Sequence, residues 1–290
     1  MNSTSRTDRS LDHDAGALVA PTAILDYRTG PIQQLVAERG WRQLEPLARI
    51  GAVYDYVRNE IDFGYNTDDD ITASEVLADG YGQCNTKATL LMALLRAVDI
   101  PCRFHAATIH KRLQEGVVTG VFYRLAPEEI LHSWVEVLID GDWKRLEGVI
   151  LDDGYLDGLR CQLGRPTGEF IGYAAGTPDI DNPAVDWVGD HTEIQMTGVE
   201  RDLGVYDDPD TYYQSAGTNL SGLTGLLYRR LIRHVMNRTV AAIRSEASRQ
   251  AAAYESEIVR PRPGNRGRAG TRRLMTSDPV LSATVAGRWE

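Results

Sequence analysis

A cysteine, a histidine and an acid follow one another in an order that could activate a thiol. Cys84 begins a segment with helical spacing, His132 begins a segment with strand alternation, and Glu147 lies on the segment after it. The thiolate is the reactive form of cysteine, a neighbouring imidazole can remove the thiol proton, and a carboxylate can orient that imidazole. The order therefore predicts a cysteine nucleophile assisted by His132 and Glu147.

The helix that positions Cys84 has the clearest pattern in the chain. Residues 84–97 (CNTKATLLMALLRA) place apolar and small side chains on one helical face. Unpaired N–H groups at a helix start favour an anion, so we expect them to lower the pKa of Cys84 and to bind a developing oxyanion. Gly80 and Gly82 would let a substrate approach closely. An isolated cysteine on such a face is ordinarily a core residue, and the partners that follow favour the nucleophile.

A hairpin carries the histidine and the acid. Residues 132–139 and 143–150 have the pattern of two strands, and Asp140-Gly141 between them is typical of a two-residue turn. Such a turn pairs Ile139 with Asp142. A three-residue turn would shift the register by one position.

The register decides which acid can reach the histidine. With the two-residue turn, Glu147 is the diagonal neighbour of His132 on one face of the hairpin. Glu136 faces Arg145 across the strands and has that partner already. We therefore expect Glu147 to be the orienting carboxylate, whereas the three-residue turn would send it to the opposite face.

Four further residues are candidates for binding the oxyanion or the substrate. Tyr81, Gln83 and Asn85 flank Cys84, and each could donate a hydrogen bond, although local capping of the helix explains them as well. Trp134 lies two residues after His132, where packing within the hairpin is the alternative.

Metal and cofactor sites are not indicated. Cys102, His105 and His110 could suggest a metal, but Cys102 and His105 would point to opposite faces of a strand, and no second Cys-x-x-Cys is present. Phosphate-binding and dinucleotide-binding glycine motifs are absent from the sequence. We expect neither a metal nor an organic cofactor.

Composition narrows the class of protein. The chain has 290 residues, of which 42% are hydrophobic and 25% charged, as in globular proteins, and its net charge of -10 argues against a general nucleic-acid binder. It contains neither an apolar run of membrane-spanning length nor an apolar leader near its start. Three cysteines are too few for a disulfide framework, so we expect a reducing, cytoplasmic setting.

The composition along the chain predicts four regions. Residues 1–20 are a polar, disordered lead-in, residues 21–155 the core, residues 156–256 a C-terminal subdomain packed on the core, and residues 257–290 a basic disordered tail. The tail has seven arginines from position 260 onward against two acids. A solubilising role is favoured for it, and an arm for nucleic acid or an acidic partner stays open.

Two runs resemble a known family. GYGQCNTKATLLMALLRAVDIPCRF is similar to the motif around the nucleophilic cysteine of the transglutaminase-like superfamily, in which a helix is followed by Arg-Ala-x-x-Ile-Pro-x-Arg. HSWVEVLIDGDWKRLE is similar to the histidine hairpin of that family. The resemblance covers residues 50–155 and is that of a microbial transglutaminase-like protein.

The resemblance implies a fold and a reaction. The fold is α+β, with a papain-type core in which the helix bearing the cysteine packs on an antiparallel sheet, and a C-terminal helical subdomain follows. Cys84 is the nucleophile, His132 the base and acid, and Glu147 the carboxylate, where the family usually has Asp; Gly148 replaces the common Pro.

The reaction implied is acyl transfer from a peptide or amide substrate through a thioester, with hydrolysis favoured over transamidation. The alternative is a non-catalytic transglutaminase-like fold that binds a protein or ligand. The sequence indicates no membrane partner and leaves the substrate and the oligomeric state open.

Overall fold

The computed structural model describes residues 16–164, 166–217 and 222–259. Within them, the residues up to Ala252 form one compact unit, and a second unit begins at Ala253. The α-helices are α1 (Gly30–Arg39), α2 (Pro46–Asn59), α3 (Ala73–Asp79), α4 (Cys84–Ala97), α5 (Gly120–Leu125), α6 (Asp153–Leu163), α7 (Pro209–Ala216), α8 (Gly222–Leu227) and α9 (Arg233–Val259). The strands are β1 (Asp62–Phe63), β2 (Tyr81–Gly82), β3 (Cys102–His110), β4 (Glu129–Ile139), β5 (Asp142–Arg145), β6 (Phe170–Gly172), β7 (Ala175–Thr177) and β8 (Val199–Tyr206).

Helix α4 is the centre of the core. It has the predicted bounds, but it is buried on every side from Asn85 to Ala97 rather than on one face. It packs on β4, α2 and α3. Its long polar side chains are buried because each finds partners: Arg96, for example, donates to the carbonyl oxygens of Ala20 and Cys102. The helix that begins with Cys84 is therefore held from all directions.

The main sheet lies against α4 and is antiparallel throughout. Its strand order is β5-β4-β3-β8. The edge strand β8 was not expected from the sequence, since its charged residues (VERDLGVY) hide the strand pattern. The α+β class, with a cysteine-bearing helix on an antiparallel sheet, is confirmed.

The hairpin has the predicted two-residue turn. Ile139 pairs with Asp142, and both turn residues have positive φ, 52° at Asp140 and 91° at Gly141. The second strand is shorter than expected, because β5 ends at Arg145 and residues Glu147–Ile150 form a 3-10 turn. Beyond Leu146 the chain follows Thr192 instead of β4, with a hydrogen bond of 3.2 Å from the Glu147 N–H to the Thr192 carbonyl.

The ends of the chain differ in part from the predicted regions. Residues 16–20 belong to the packed structure, since Leu18 is buried and Ala20 accepts from Arg96. The prediction of a disordered lead-in is therefore wrong for these five residues. Residues 1–15 lie outside the described part. So does the basic tail from residue 260, whereas residues 257–259 still belong to α9. Within the described ranges, none of the helices combines the length and apolar character that crossing a membrane requires.

Helix α9 joins the core through α6. A Cβ at Gly158 would lie 2.0 Å from the backbone oxygen of Ile243, so the two helices touch backbone to backbone. Arg244 next to it forms an ion pair with Asp152. Asn237 exchanges two hydrogen bonds with the backbone of Tyr65.

We expect Gly158→Ala to lower the free energy of unfolding by about 1–3 kcal/mol, because the added methyl overpacks a contact between backbones that cannot rotate away. Gly154→Ala is the matched control in the same helix, where the nearest atom to the added Cβ is 3.3 Å away and belongs to a side chain. Urea denaturation of both variants measures the difference. Equal stability of the two variants would contradict this packing.

Candidate active site

A short segment between α3 and α4 sets the position of Cys84. Gly80 ends α3 in the left-handed conformation, with φ 71°, and Gln83 is the N-cap of α4. The space beside Gly82 is filled by α4 itself, because a Cβ there would lie 2.7 Å from the Thr86 hydroxyl. The expectation that these glycines leave room for substrate is therefore wrong for Gly82. Its lack of a side chain allows the first turn of α4 to pack closely.

His132 and Glu147 form a fully buried pair. Nε2 of His132 lies 3.3 Å from Oε1 of Glu147, and both side chains are 0% exposed. Neither ring nitrogen of His132 forms a hydrogen bond of good geometry with a described residue, so the contact with Glu147 is an ion-pair distance only. Because Glu147 adjoins Nε2, Nδ1 is the nitrogen left to exchange a proton with a nucleophile.

The position of the Glu147 side chain beside His132 depends on residues outside the hairpin. Its carboxylate accepts the N–H groups of Ile194 and Gln195, the latter at 3.0 and 3.1 Å. The segment that supplies these donors crosses so close to Gly148 that a Cβ there would lie 2.9 Å from Cβ of Thr192. Glycine in place of the common proline is thus required by the segment that holds the carboxylate.

The sulfur of Cys84 lies beside the first half of β4, where β5 does not pair with that strand. The neighbouring Asn85 donates to the carbonyl oxygen of Leu131 at 3.4 Å, and Ser133 donates to Asn85 Oδ1 at 2.9 Å. The backbone N–H groups of Asn85 and Ser133 face the sulfur. Cys84 therefore lies beside the strand that carries His132, and it is half-buried, so a substrate can reach it more readily than His132 or Glu147.

The pKa of Cys84 departs from the expectation. Burial and the charge of Asp69 raise it, with a smaller contribution from Glu147, and the N–H groups of Asn85 and Ser133 lower it less. The prediction from the helix start is wrong because it considered only the local N–H groups. The thiolate is thus accessible mainly when its proton passes to His132.

Lys87, one turn beyond Cys84, connects the surrounding elements. Its Nζ donates to the carbonyl oxygens of Arg58, Ile61 and Ile150, at 3.0, 2.9 and 3.2 Å. It is fully buried, and burial lowers its pKa to about 7. Ile150 belongs to the turn that begins with Glu147, so Lys87 fixes that turn relative to the cysteine helix.

We expect the free energy of unfolding of the wild type to rise between pH 7 and about 10 because of Lys87. In the Lys87→Met variant this contribution to the rise should be absent. The unfolded lysine keeps its proton up to a pKa of about 10.4, whereas the native lysine loses it near 7. The unfolded state then binds more protons, and stability rises with pH. Urea denaturation at pH 7 and 9 measures both proteins. The same pH dependence in wild type and variant would contradict the expectation.

Three of the four additional candidates use their donors within the protein. Nε2 of Gln83 and Nδ2 of Asn85 both donate to Asp69, at 3.2 and 3.0 Å. The indole N–H of Trp134 donates to Glu136 at 3.3 Å. Tyr81 is half-buried and lines an open cleft of about 250 Å³, together with Glu75, Asp79, Arg233 and other residues.

The expected cross-strand ion pair between Glu136 and Arg145, next to Trp134, is not formed. Glu136 is opposite Arg145 in register, but its carboxylate binds Arg103 and His105 instead. Arg145 pairs with Glu193. The ring of His105 stacks on Trp134 with 4.2 Å between centroids. The expectation of a Glu136–Arg145 pair is wrong because β3 offers closer partners.

The residues considered for a metal are separated. Cys102 is buried in the core, His105 lies between two carboxylates, and His110 caps the turn that follows β3. Over the described part of the chain, no three His, Cys, Asp or Glu side chains are grouped so as to hold a metal ion. All three cysteines are free.

Sequence reasoning missed two parts of the site. Asp69 belongs to an acidic run, Asp68-Asp69-Asp70, that has the composition of a solvated loop, and Asp69 is nevertheless 4% exposed. Residues 192–195, which hold Glu147, lie in a region whose pattern indicated only a loop. Neither part has a local sequence pattern that indicates its role in the site.

A match to one family model agrees with the fold. Residues 34–148 match the model of the transglutaminase-like superfamily. No curated protein is significantly similar in sequence.

Three solved structures are similar in part. A candidate cysteine protease from Cytophaga hutchinsonii is 16% identical, with a TM-score of 0.40 over 72% of this chain and 51% of that chain. A candidate protease from Parabacteroides distasonis is 17% identical, with a TM-score of 0.28 over 45% of this chain and 26% of that one. Red sea bream transglutaminase is 16% identical, with a TM-score of 0.26 over 45% and 25%.

The chain thus spans about half the length of the first of these structures. The family model covers the cysteine helix and the hairpin, including Cys84, His132 and Glu147. Residues 34–148, which contain the candidate site, are therefore similar to the transglutaminase-like superfamily.

Proposed function

We propose that this chain is an enzyme that transfers acyl groups from an amide or peptide bond through a thioester on Cys84. The observation that carries the proposal is the buried His132–Glu147 pair beside a half-buried cysteine at a helix start. This arrangement combines a nucleophile, a base and an orienting carboxylate.

The steps follow from the positions of the three side chains. Nδ1 of His132 takes the proton of Cys84 as the sulfur attacks the carbonyl carbon, and Glu147 stabilises the resulting imidazolium. The imidazolium then protonates the leaving amine as the C–N bond breaks, which leaves the thioester. Water attacks that thioester, with His132 again as base, and the acid is released.

Backbone N–H groups are the proposed donors to the oxyanion. The donors of Gln83, Asn85 and Trp134 have partners, so we assign the oxyanion to the N–H groups at the start of α4. Among the four candidates, Tyr81 is the one we retain as a substrate contact.

Release of amine from peptide amides, measured with and without an added primary amine, tests the reaction. We expect release without the added amine, because water completes the hydrolysis. Release that requires the amine would replace hydrolysis by transamidation. Absence of release from a folded protein over a broad set of amides would favour the non-catalytic alternative.

A further inference from the structure

One buried carboxylate holds the residues on both sides of Cys84. Asp69, in the loop between β1 and α3, is 4% exposed. Its Oδ1 accepts a hydrogen bond from Gln83 at 3.2 Å and one from Asn85 at 3.0 Å. The mechanism proposed above gives this carboxylate no role.

The carboxylate determines which end of the Asn85 amide faces the nucleophile. A carboxylate only accepts hydrogen bonds, so the NH₂ end of Asn85 turns toward Asp69 and Oδ1 turns away from it. On that side Oδ1 accepts from Ser133 at 2.9 Å and from the thiol of Cys84 at 3.7 Å. The thiol proton is therefore directed to Asn85, while Nδ1 of His132 has no described hydrogen-bond partner.

The charges around the sulfur of Cys84 also favour the protonated thiol. Asp69 and Glu147 both favour the neutral thiol, as does burial. His132 lies on the adjacent strand β4. Three phenols respond to the charge of the sulfur, and their own pKa values are raised, chiefly by burial: Tyr65, Tyr213 and Tyr228. The phenols stay neutral and place no charge near the sulfur. Of the two carboxylates, Asp69 has a larger effect on the pKa of Cys84 than Glu147 has.

We propose that Asp69 is a positioning residue that keeps Cys84 in the protonated form in the resting protein. Through Asn85 it provides an acceptor for the S–H group, and its own charge opposes a thiolate. When the S–H bond breaks, the proton forms an N–H bond at Nδ1 of His132, which leaves a thiolate and an imidazolium. The proposal rests on the proposed function for the roles of Cys84 as nucleophile and His132 as base.

Alkylation of Cys84 as a function of pH tests this inference without requiring turnover. Iodoacetamide reacts with the thiolate, so the midpoint of the rate against pH reports the pKa of the thiol. Peptide mass mapping separates Cys84 from Cys102 and Cys161. In the full chain, we expect Asp69→Asn to lower the midpoint by at least about one pH unit, because a like charge is removed.

Asp70→Asn is the matched control, since it removes the same charge from an exposed neighbour in the same loop. We expect its midpoint to equal that of the wild type. An unchanged midpoint in Asp69→Asn, or an equal shift in Asp70→Asn, would overturn the proposal. If Asp69→Asn does not fold, Asn85→Ala removes the acceptor of the S–H group, and its midpoint should also fall; an unchanged midpoint there contradicts the proposal.

The two proposals can fail separately. A midpoint that shifts as expected in a protein without acyl-transfer activity would support the role of Asp69 and contradict the proposed function. Acyl-transfer activity together with an unchanged midpoint in Asp69→Asn would support the proposed function and contradict the role of Asp69.

Discussion

Replacement of Cys84 with alanine is expected to abolish acyl transfer and to leave the fold intact. Alanine fits the first position of α4, and the sulfur makes a single weak side-chain hydrogen bond, at 3.7 Å to Asn85. Without the sulfur no thioester forms, so we expect turnover to fall by at least about 10⁴-fold, as when a nucleophile is removed from a triad. The rate of amine release measures this loss, and the melting temperature measures the fold.

Cys161→Ala is the control for the cysteine variant. Cys161 is also half-buried and also lies on a helix, but it belongs to α6, away from the sheet that carries His132. Its removal should leave turnover unchanged. Activity that survives in Cys84→Ala, or is lost equally in both variants, would show that Cys84 is not the nucleophile.

Glu147→Gln is expected to have the second largest effect on turnover. The carboxylate lies 3.3 Å from Nε2 of His132 and stabilises the imidazolium that forms when Cys84 loses its proton. An amide has no charge, so the imidazolium loses its partner and we expect a decrease of about 10² to 10⁴-fold. Some stability should be lost too, because the amide replaces one of the two oxygens that accept from Ile194 and Gln195.

A control separates the two effects of Glu147→Gln. Glu193→Gln changes a neighbouring carboxylate that pairs with Arg145 and is partly exposed. We expect it to keep full turnover. If Glu147→Gln, once shown to be folded, turns over as fast as the wild type, Glu147 is not the orienting carboxylate.

The local parts of the site could be predicted from the sequence. The spacing of residues 84–97 predicted α4, and Asp140-Gly141 predicted a turn that fixes the register over the last positions of β4. Both depend on neighbours within a few residues, so one sequence is enough to read them.

The distant parts could not be predicted. Glu147 was expected beside His132 by continuation of a strand, and it reaches that position because a 3-10 turn and residues 192–195 replace the strand. The pKa of Cys84 was expected to fall and is raised, since burial and Asp69 outweigh the helix start. These contacts join residues far apart along the chain, and no local pattern records them.

The most direct test of the account is the mass of the protein after reaction with an activated ester such as p-nitrophenyl acetate. We expect one acyl group to be added to the wild-type chain, to map to the peptide that contains Cys84 and to be released by hydroxylamine, as a thioester is. Cys84→Ala should remain unmodified under the same conditions. A wild-type chain that is not acylated at Cys84, or a Cys84→Ala chain that is acylated to the same extent, would contradict the account.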